Sequence, residues 1–159
     1  RPFRSLEKPL HWASQESPVE HHRKLERMYA VAPINQYFKP TLQIESGRSE
    51  LRIDVRQDFH HTAGAMHGVV YFKAMDDAAF FAANSLVEDV FVLTATFEIE
   101  FLRPVITGQI RAVAKVTEQT ARRIYATAEL YDAQNQLVGR GRGEFARSKI
   151  RLTAEVQYA

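Results

Sequence analysis

The stretch F59-H-H-T-A-G-A-M-H-G-V-V-Y-F-K-A-M-D-D-A-A-F-F-A-A-N-S-L86 decides the reading of this chain. It opens with three histidines and two glycines, then turns almost wholly apolar, yet carries Lys73, Asp76 and Asp77 in mid-run. The apolar part is long enough for a helix of several turns, and it is apolar nearly all the way round, so other elements must cover it on most sides. The spacing predicts a helix from about His67 to Ser85. Its interrupting charges argue against a membrane span.

The flanks show what covers it. Upstream, Ser17-Pro18-Val19-Glu20 carries a helix-start signature: an N-cap serine, proline at the first helical position, and Glu three after the cap. The helix that follows, to about Ala32, turns His22, Leu25, Met28, Tyr29 and Ala32 to one face, and Pro33 ends it. His21 and His22 are expected at its solvated edge. Residues 41–56 alternate apolar and polar about a Gly-Arg turn, a hairpin with Leu42, Ile44, Leu51, Ile53 and Val55 inward. Downstream come four long strand candidates, separated at 104–108, 118–121 and 132–135 by residues with turn chemistry. In the first, Ala95, Phe97, Ile99 and Phe101 share one face, and Thr94, Thr96, Glu98 and Glu100 the other.

Strands in a run with short turns imply an antiparallel sheet. The expected class is therefore α+β, a long antiparallel sheet wrapped around one central helix, with an extra N-terminal helix. Residues 1–16 read as an extension, 17–149 as one domain, and 150–159 as a strand extension or tail. The chain has 159 residues, 45% of them apolar, with ten Phe, which suits a single packed domain. A net charge of +2 is too small to argue for nucleic acid. Cysteine is absent, which removes disulfides, a thiolate nucleophile and cysteine zinc sites. No leader pattern is visible, and a cytoplasmic location is the expectation.

The buried-helix charges are the chemical signal. Asp77 lies four residues after Lys73 and is expected to pair with it. Asp76 is left without a local partner, and a carboxylate on an apolar helix is poorly solvated, which raises its pKa and suits a general base or nucleophile. The plainer alternative places both carboxylates on a solvated edge. At the helix start, Gly68 leaves a backbone N–H open to the close approach of a ligand oxygen. Gly68 and Asp76 are about 12 Å apart along the helix at its 1.5 Å rise, too far to serve one carbonyl. A catalytic reading therefore expects a dimer with sites at its interface.

With His61, Gly64, His67-Gly68-Val69 and Asp76 at these spacings, the chain resembles the hotdog-fold acyl-CoA thioesterases of the phenylacetyl-CoA thioesterase type. The family pattern is Asn, Gly three later, His-Gly-Gly, then Asp nine after the His. Here His61 stands at the Asn position and Val69 at the second Gly. The resemblance implies an acyl-CoA hydrolase in which Asp76 is nucleophile or general base and the Gly68 N–H of a partner subunit polarises the thioester carbonyl. It further implies that Thr94 positions the carboxylate or the water, that His67 is the motif His, and that His61 substitutes as a donor. It requires no cofactor and no metal, and its partners are the acyl-CoA and a second copy of the chain, as dimer or tetramer, without nucleic acid or membrane. Val69 and Phe72 are candidates for contact with substrate. Arg103, Arg122, Arg123, Arg140 and Arg142 are candidates for the CoA phosphates, or simply keep the sheet soluble. Because of His61 and Val69, a non-catalytic hotdog module that binds acyl-CoA is the alternative. Loop histidines at 60, 61 and 67 lack the spacing of a helical metal pair. The alternating Gly139, Gly141 and Gly143 leave one strand face bare, where another backbone or the central helix would pack.

Overall fold

The computed structural model describes residues 17–159; the expected 1–16 extension lies outside the described residues. Helix α1 (Pro18–Val31) starts as the sequence dictates, with the Ser17 hydroxyl accepting from the Glu20 N–H at 3.1 Å. A four-residue helix α2 (Asn35–Phe38) follows Pro33 and was not anticipated. Strands β1 (Thr41–Glu45) and β2 (Arg48–Asp54) form the hairpin, with Gly47 at φ +71° making the turn. Helix α3 (Gly68–Asn84) comes next, then β3 (Val90–Phe101), β4 (Gln109–Gln119), β5 (Arg123–Tyr131) and β6 (Leu137–Arg151).

All six strands join one antiparallel sheet in the order β1-β2-β4-β5-β6-β3, and α3 packs across it. This is the hotdog arrangement. Eleven of the 17 residues of α3 are buried, among them Val70, Ala74, Met75, Ala78, Ala79, Ala82 and Ala83. The alanines let sheet and helix approach closely, and Met75, Phe80 and Phe81 fill the wider gaps.

The bare face of β6 is filled by rings and by α3. A Cβ at Gly139 would meet Met75 and Tyr71, and one at Gly141 would lie 2.6 Å from the Phe97 ring. Phe97 thus occupies the space that the glycines leave.

Two expectations are corrected. His21 and His22 are buried, not solvated. His21 bridges the Asn84 carbonyl, 2.9 Å from Nε2, and the Tyr158 hydroxyl, 2.7 Å from Nδ1. The chain after β6 folds back through a short turn at Ala154–Val156 and buries Tyr158 against α1. That contact comes from more than 130 residues away, and helical periodicity carries no trace of it. The second correction concerns β3. A bulge between Thr94 and Thr96 shifts the register against β6, so Thr94 pairs with Phe145 and Thr96 with Glu144. Thr94 therefore shares the helix-facing side with Phe97 and Phe101, and is not on the Thr96–Glu98–Glu100 face.

β3 ends the sheet. Its outer edge carries no partner strand among the described residues. Beside it stand exposed Leu93 and Phe101, and Val69 and Phe72 on α3, between 42% and 57% exposed. A twelve-residue edge with an apolar border is a surface that natural proteins cover.

Candidate active site

Two clefts open along α3. The first lies at its N-terminus, about 280 Å³, lined by His61, Ala65, Met66, Gly68, Tyr71, Phe101, Leu102, Arg103 and Pro104. The loop that builds it is tied down at several points. The Met66 N–H donates to the Val105 carbonyl at 2.8 Å, the His67 N–H to the Phe59 carbonyl at 2.9 Å, and Gly64 turns the chain at φ +84°. His67 is the N-cap of α3: its Nδ1 accepts from the Val69 N–H at 2.9 Å. The Val69 and Val70 N–H groups are thereby occupied, the latter by the His67 carbonyl. The Gly68 N–H makes no hydrogen bond among the described residues and stands at the positive end of the helix. A Cβ at Gly68 would press on the Phe101 ring at 3.1 Å, so glycine also leaves room for that ring.

His61 is exposed at the rim, with Nδ1 accepting from the Ala63 N–H at 3.1 Å. That bond leaves Nε2 to carry the proton as a donor. Val69 projects from the first turn, 51% exposed. Arg103 joins the cleft through β3's end, where its carbonyl accepts from the Tyr71 hydroxyl at 2.6 Å.

The second cleft, about 300 Å³, lies at the middle of α3, lined by Asp76 and Thr94 among apolar side chains from α1, α3 and β3, including Met28, Phe80, Phe81 and Phe91. The Thr94 hydroxyl donates to Asp76 Oδ1 at 2.9 Å. Burial pushes the Asp76 carboxyl up to about 6; the Thr94 bond works against that rise, Asp77 adds to it and Lys73 opposes it. Asp77 pairs with Lys73 across one helical turn, Nζ to Oδ2 2.5 Å.

The structure thus gathers Gly68, His61 and Arg103 in one cleft and Asp76 with Thr94 in another, and brings no member of one set to the other. Phe72 lies between them, edge-on to Phe97. The remaining arginines stand apart. Arg140 forms a two-point pair with Glu100 on the outer sheet face, where Arg142 lies over the Tyr125 ring. Arg122 and Arg123 sit at the β4–β5 turn. Sequence reasoning missed Asn35 as a lining residue of the second cleft; four residues after a helix-ending proline gave no periodic signal. Among the described residues no group of three or more His, Asp or Glu is arranged to hold a metal ion, and no helix is long and apolar enough to cross a membrane.

The comparison with known families falls on the segment that builds both clefts: residues 63–139 match the thioesterase superfamily. A proposed esterase from Sulfurisphaera tokodaii is 29% identical over 102 residues, 64% of this chain and 75% of the relative. Among solved structures, the PaaI protein from the phenylacetic acid degradation operon of E. coli has a TM-score of 0.78 at 21% identity, covering 87% of this chain and all of that one. A conserved protein of Pseudomonas aeruginosa has a TM-score of 0.71 at 25% identity, covering 77% of this chain and 98% of that one. These structures share the hotdog fold.

Proposed function

We propose that this thioesterase-superfamily domain hydrolyses acyl-CoA thioesters at sites assembled from two copies of the chain. The superfamily match and the esterase-named relative support ester or thioester hydrolysis. The observation that carries the finer reading is the division of parts along α3: a free N–H donor at Gly68 and a partly buried carboxyl at Asp76, in separate clefts about 12 Å apart along one helix. The long open edge of β3 and its apolar border supply the surface on which a second copy would join them.

In such a site the thioester carbonyl oxygen rests on the Gly68 N–H, with the helix dipole behind it and the His61 Nε2–H as second donor. Asp76 of the other copy, held by Thr94, faces the carbonyl carbon. It either attacks, expelling the CoA thiolate and forming an anhydride that water then cleaves, or takes a proton from a water that attacks directly. Both routes consume one water and release a carboxylic acid and the thiol. Arg103 lines the Gly68 cleft and is the candidate there to meet the CoA phosphates.

The test is thiol release from short, medium, long and aryl acyl-CoAs by wild type and Asp76→Ala. Turnover by the wild type, lost in the folded variant, supports the reading. Binding of acyl-CoA with no thiol released from any of them replaces hydrolysis with a binding function.

A further inference from the structure

The proposed chemistry leaves unused the second carboxylate of α3. Lys73 and Asp77 are only 11% and 18% exposed in their side chains, yet they form an ion pair of 2.5 Å. The pair, on α3, is braced from two other helices. The Tyr29 hydroxyl of α1 donates to Asp77 Oδ2 at 2.6 Å, and Lys73 Nζ donates to Asn35 Oδ1 of α2 at 2.7 Å. The Asn35 amide donates in turn to the Tyr29 carbonyl at 2.7 Å. The ammonium also lies over the Tyr29 and Phe38 rings, 5.1 and 5.5 Å from their centroids.

A largely buried ion pair is a poor way to gain stability, since apolar side chains of similar volume serve as well or better. This pair stands beside Asp76 in sequence and lines the same cleft. We propose that Lys73 and Asp77 are positioning residues for the reacting carboxylate: an ion pair, braced by Tyr29 and Asn35, that presents two fixed opposite charges beside Asp76. This rests on the reading of Asp76 as the group that reacts.

The groups that face Asp76 are Tyr29 from α1, Lys73 and Asp77 from α3, and Thr94 from β3. Asp77 disfavours its ionisation and Lys73 favours it. The two act on it in opposite directions, alongside burial, which raises the carboxyl, and the Thr94 hydrogen bond, which lowers it. Removing one member leaves the other unopposed, and the two removals act with opposite sign.

The test is a carbon-13 NMR titration of the Asp76 carboxyl in the free protein, run beside the pH profile of thiol release. Asp77→Asn leaves Lys73 unopposed and moves the Asp76 midpoint down. Lys73→Met moves it up. The double variant returns towards wild type. Asp77→Asn keeps the side-chain shape and carries the test should Lys73→Met fail to fold. Midpoints that coincide in wild type and variants while thermal stability falls would reduce the pair to a brace and overturn the proposal. If the midpoints separate as described but no acyl-CoA is cleaved, the electrostatic arrangement stands and the hydrolase reading falls. If the wild type cleaves acyl-CoA and the midpoints coincide, the arrangement falls alone.

Discussion

The cleft around Gly68 and the cleft around Asp76 sit on one helix and are built in different ways. The first presents hydrogen-bond donors fixed by backbone: a helix N-terminus, a capped first turn and a histidine whose tautomer is set by a loop N–H. Its donor strength changes little with pH, because the Gly68 N–H does not titrate. The second presents an acid whose charge depends on its surroundings, through burial, a threonine and a neighbouring ion pair. In the proposed mechanism one cleft stabilises negative charge and the other supplies it, and neither would perform hydrolysis alone. Their separation along one helix keeps the Asp76 carboxyl away from the Gly68 donor of its own chain.

The most severe way to break this division is to remove the acid. Asp76→Ala is expected to lower kcat by about 10³-fold with the fold intact, checked by thiol release and circular dichroism. The proposed mechanism requires Asp76 to be ionised, so kcat/KM is expected to fall as pH drops through about 6, close to tenfold per unit below it.

Removing the donor comes next. Gly68 is the first residue of α3, and His67 before it is extended, at φ −62° and ψ 144°. Both conditions suit proline, which lacks only the N–H in question. Gly68→Pro is expected to lower kcat about 10²-fold while α3 still forms, with only a small shift of the Phe101 ring to accommodate it. A fall in stability with unchanged kcat would show that this N–H serves the fold alone.

Thr94→Val sharpens the comparison, since it leaves the acid and the donor in place. The Thr94 bond favours the ionised form of Asp76, so its loss is expected to move the acid limb of the pH profile up and to lower kcat about tenfold near neutrality. The smallest effect is on stability. The Asp76 carboxyl rises from 3.8 to about 6 on folding, so the folded state holds its proton more tightly than the unfolded chain. The stability associated with that proton is complete below pH 3.8 and is lost as pH rises through about 6. Asp76→Asn is therefore expected to stabilise the protein by about 3 kcal/mol at pH 8, with the gain fading as pH falls from about 6 to 3.8 and absent below that, as measured by urea unfolding.

Much of this was legible in the sequence because it is local. The central helix, the hairpin, the four long strands and the Lys73–Asp77 pair each follow from spacing within a few residues, and the separation of Gly68 from Asp76 follows from the helix rise alone. What failed was non-local. Alternation along β3 put Thr94 with Thr96 and Glu98, because a bulge inverts the alternation and no residue type there announces it. His21 read as solvated because the Tyr158 that covers it arrives from the far end of the chain. Asn35 is invisible to periodicity, since α2 is one turn long and its cleft is closed by three separate helices. The motif around the helix start identified the pieces, but the geometry was needed to show that Asp76 and Thr94 meet.

The measurement that reaches the central claim most directly is subunit complementation. Asp76→Ala and Gly68→Pro proteins, each inactive alone, are unfolded together and refolded as a mixture. If each site takes Gly68 from one copy and Asp76 from the other, every mixed dimer holds one intact site. The mixture is then expected to recover about one quarter of wild-type thiol release, from half the dimers with half their sites restored. If mixed dimers form and release no thiol, both groups act within a single copy, and the shared site is contradicted.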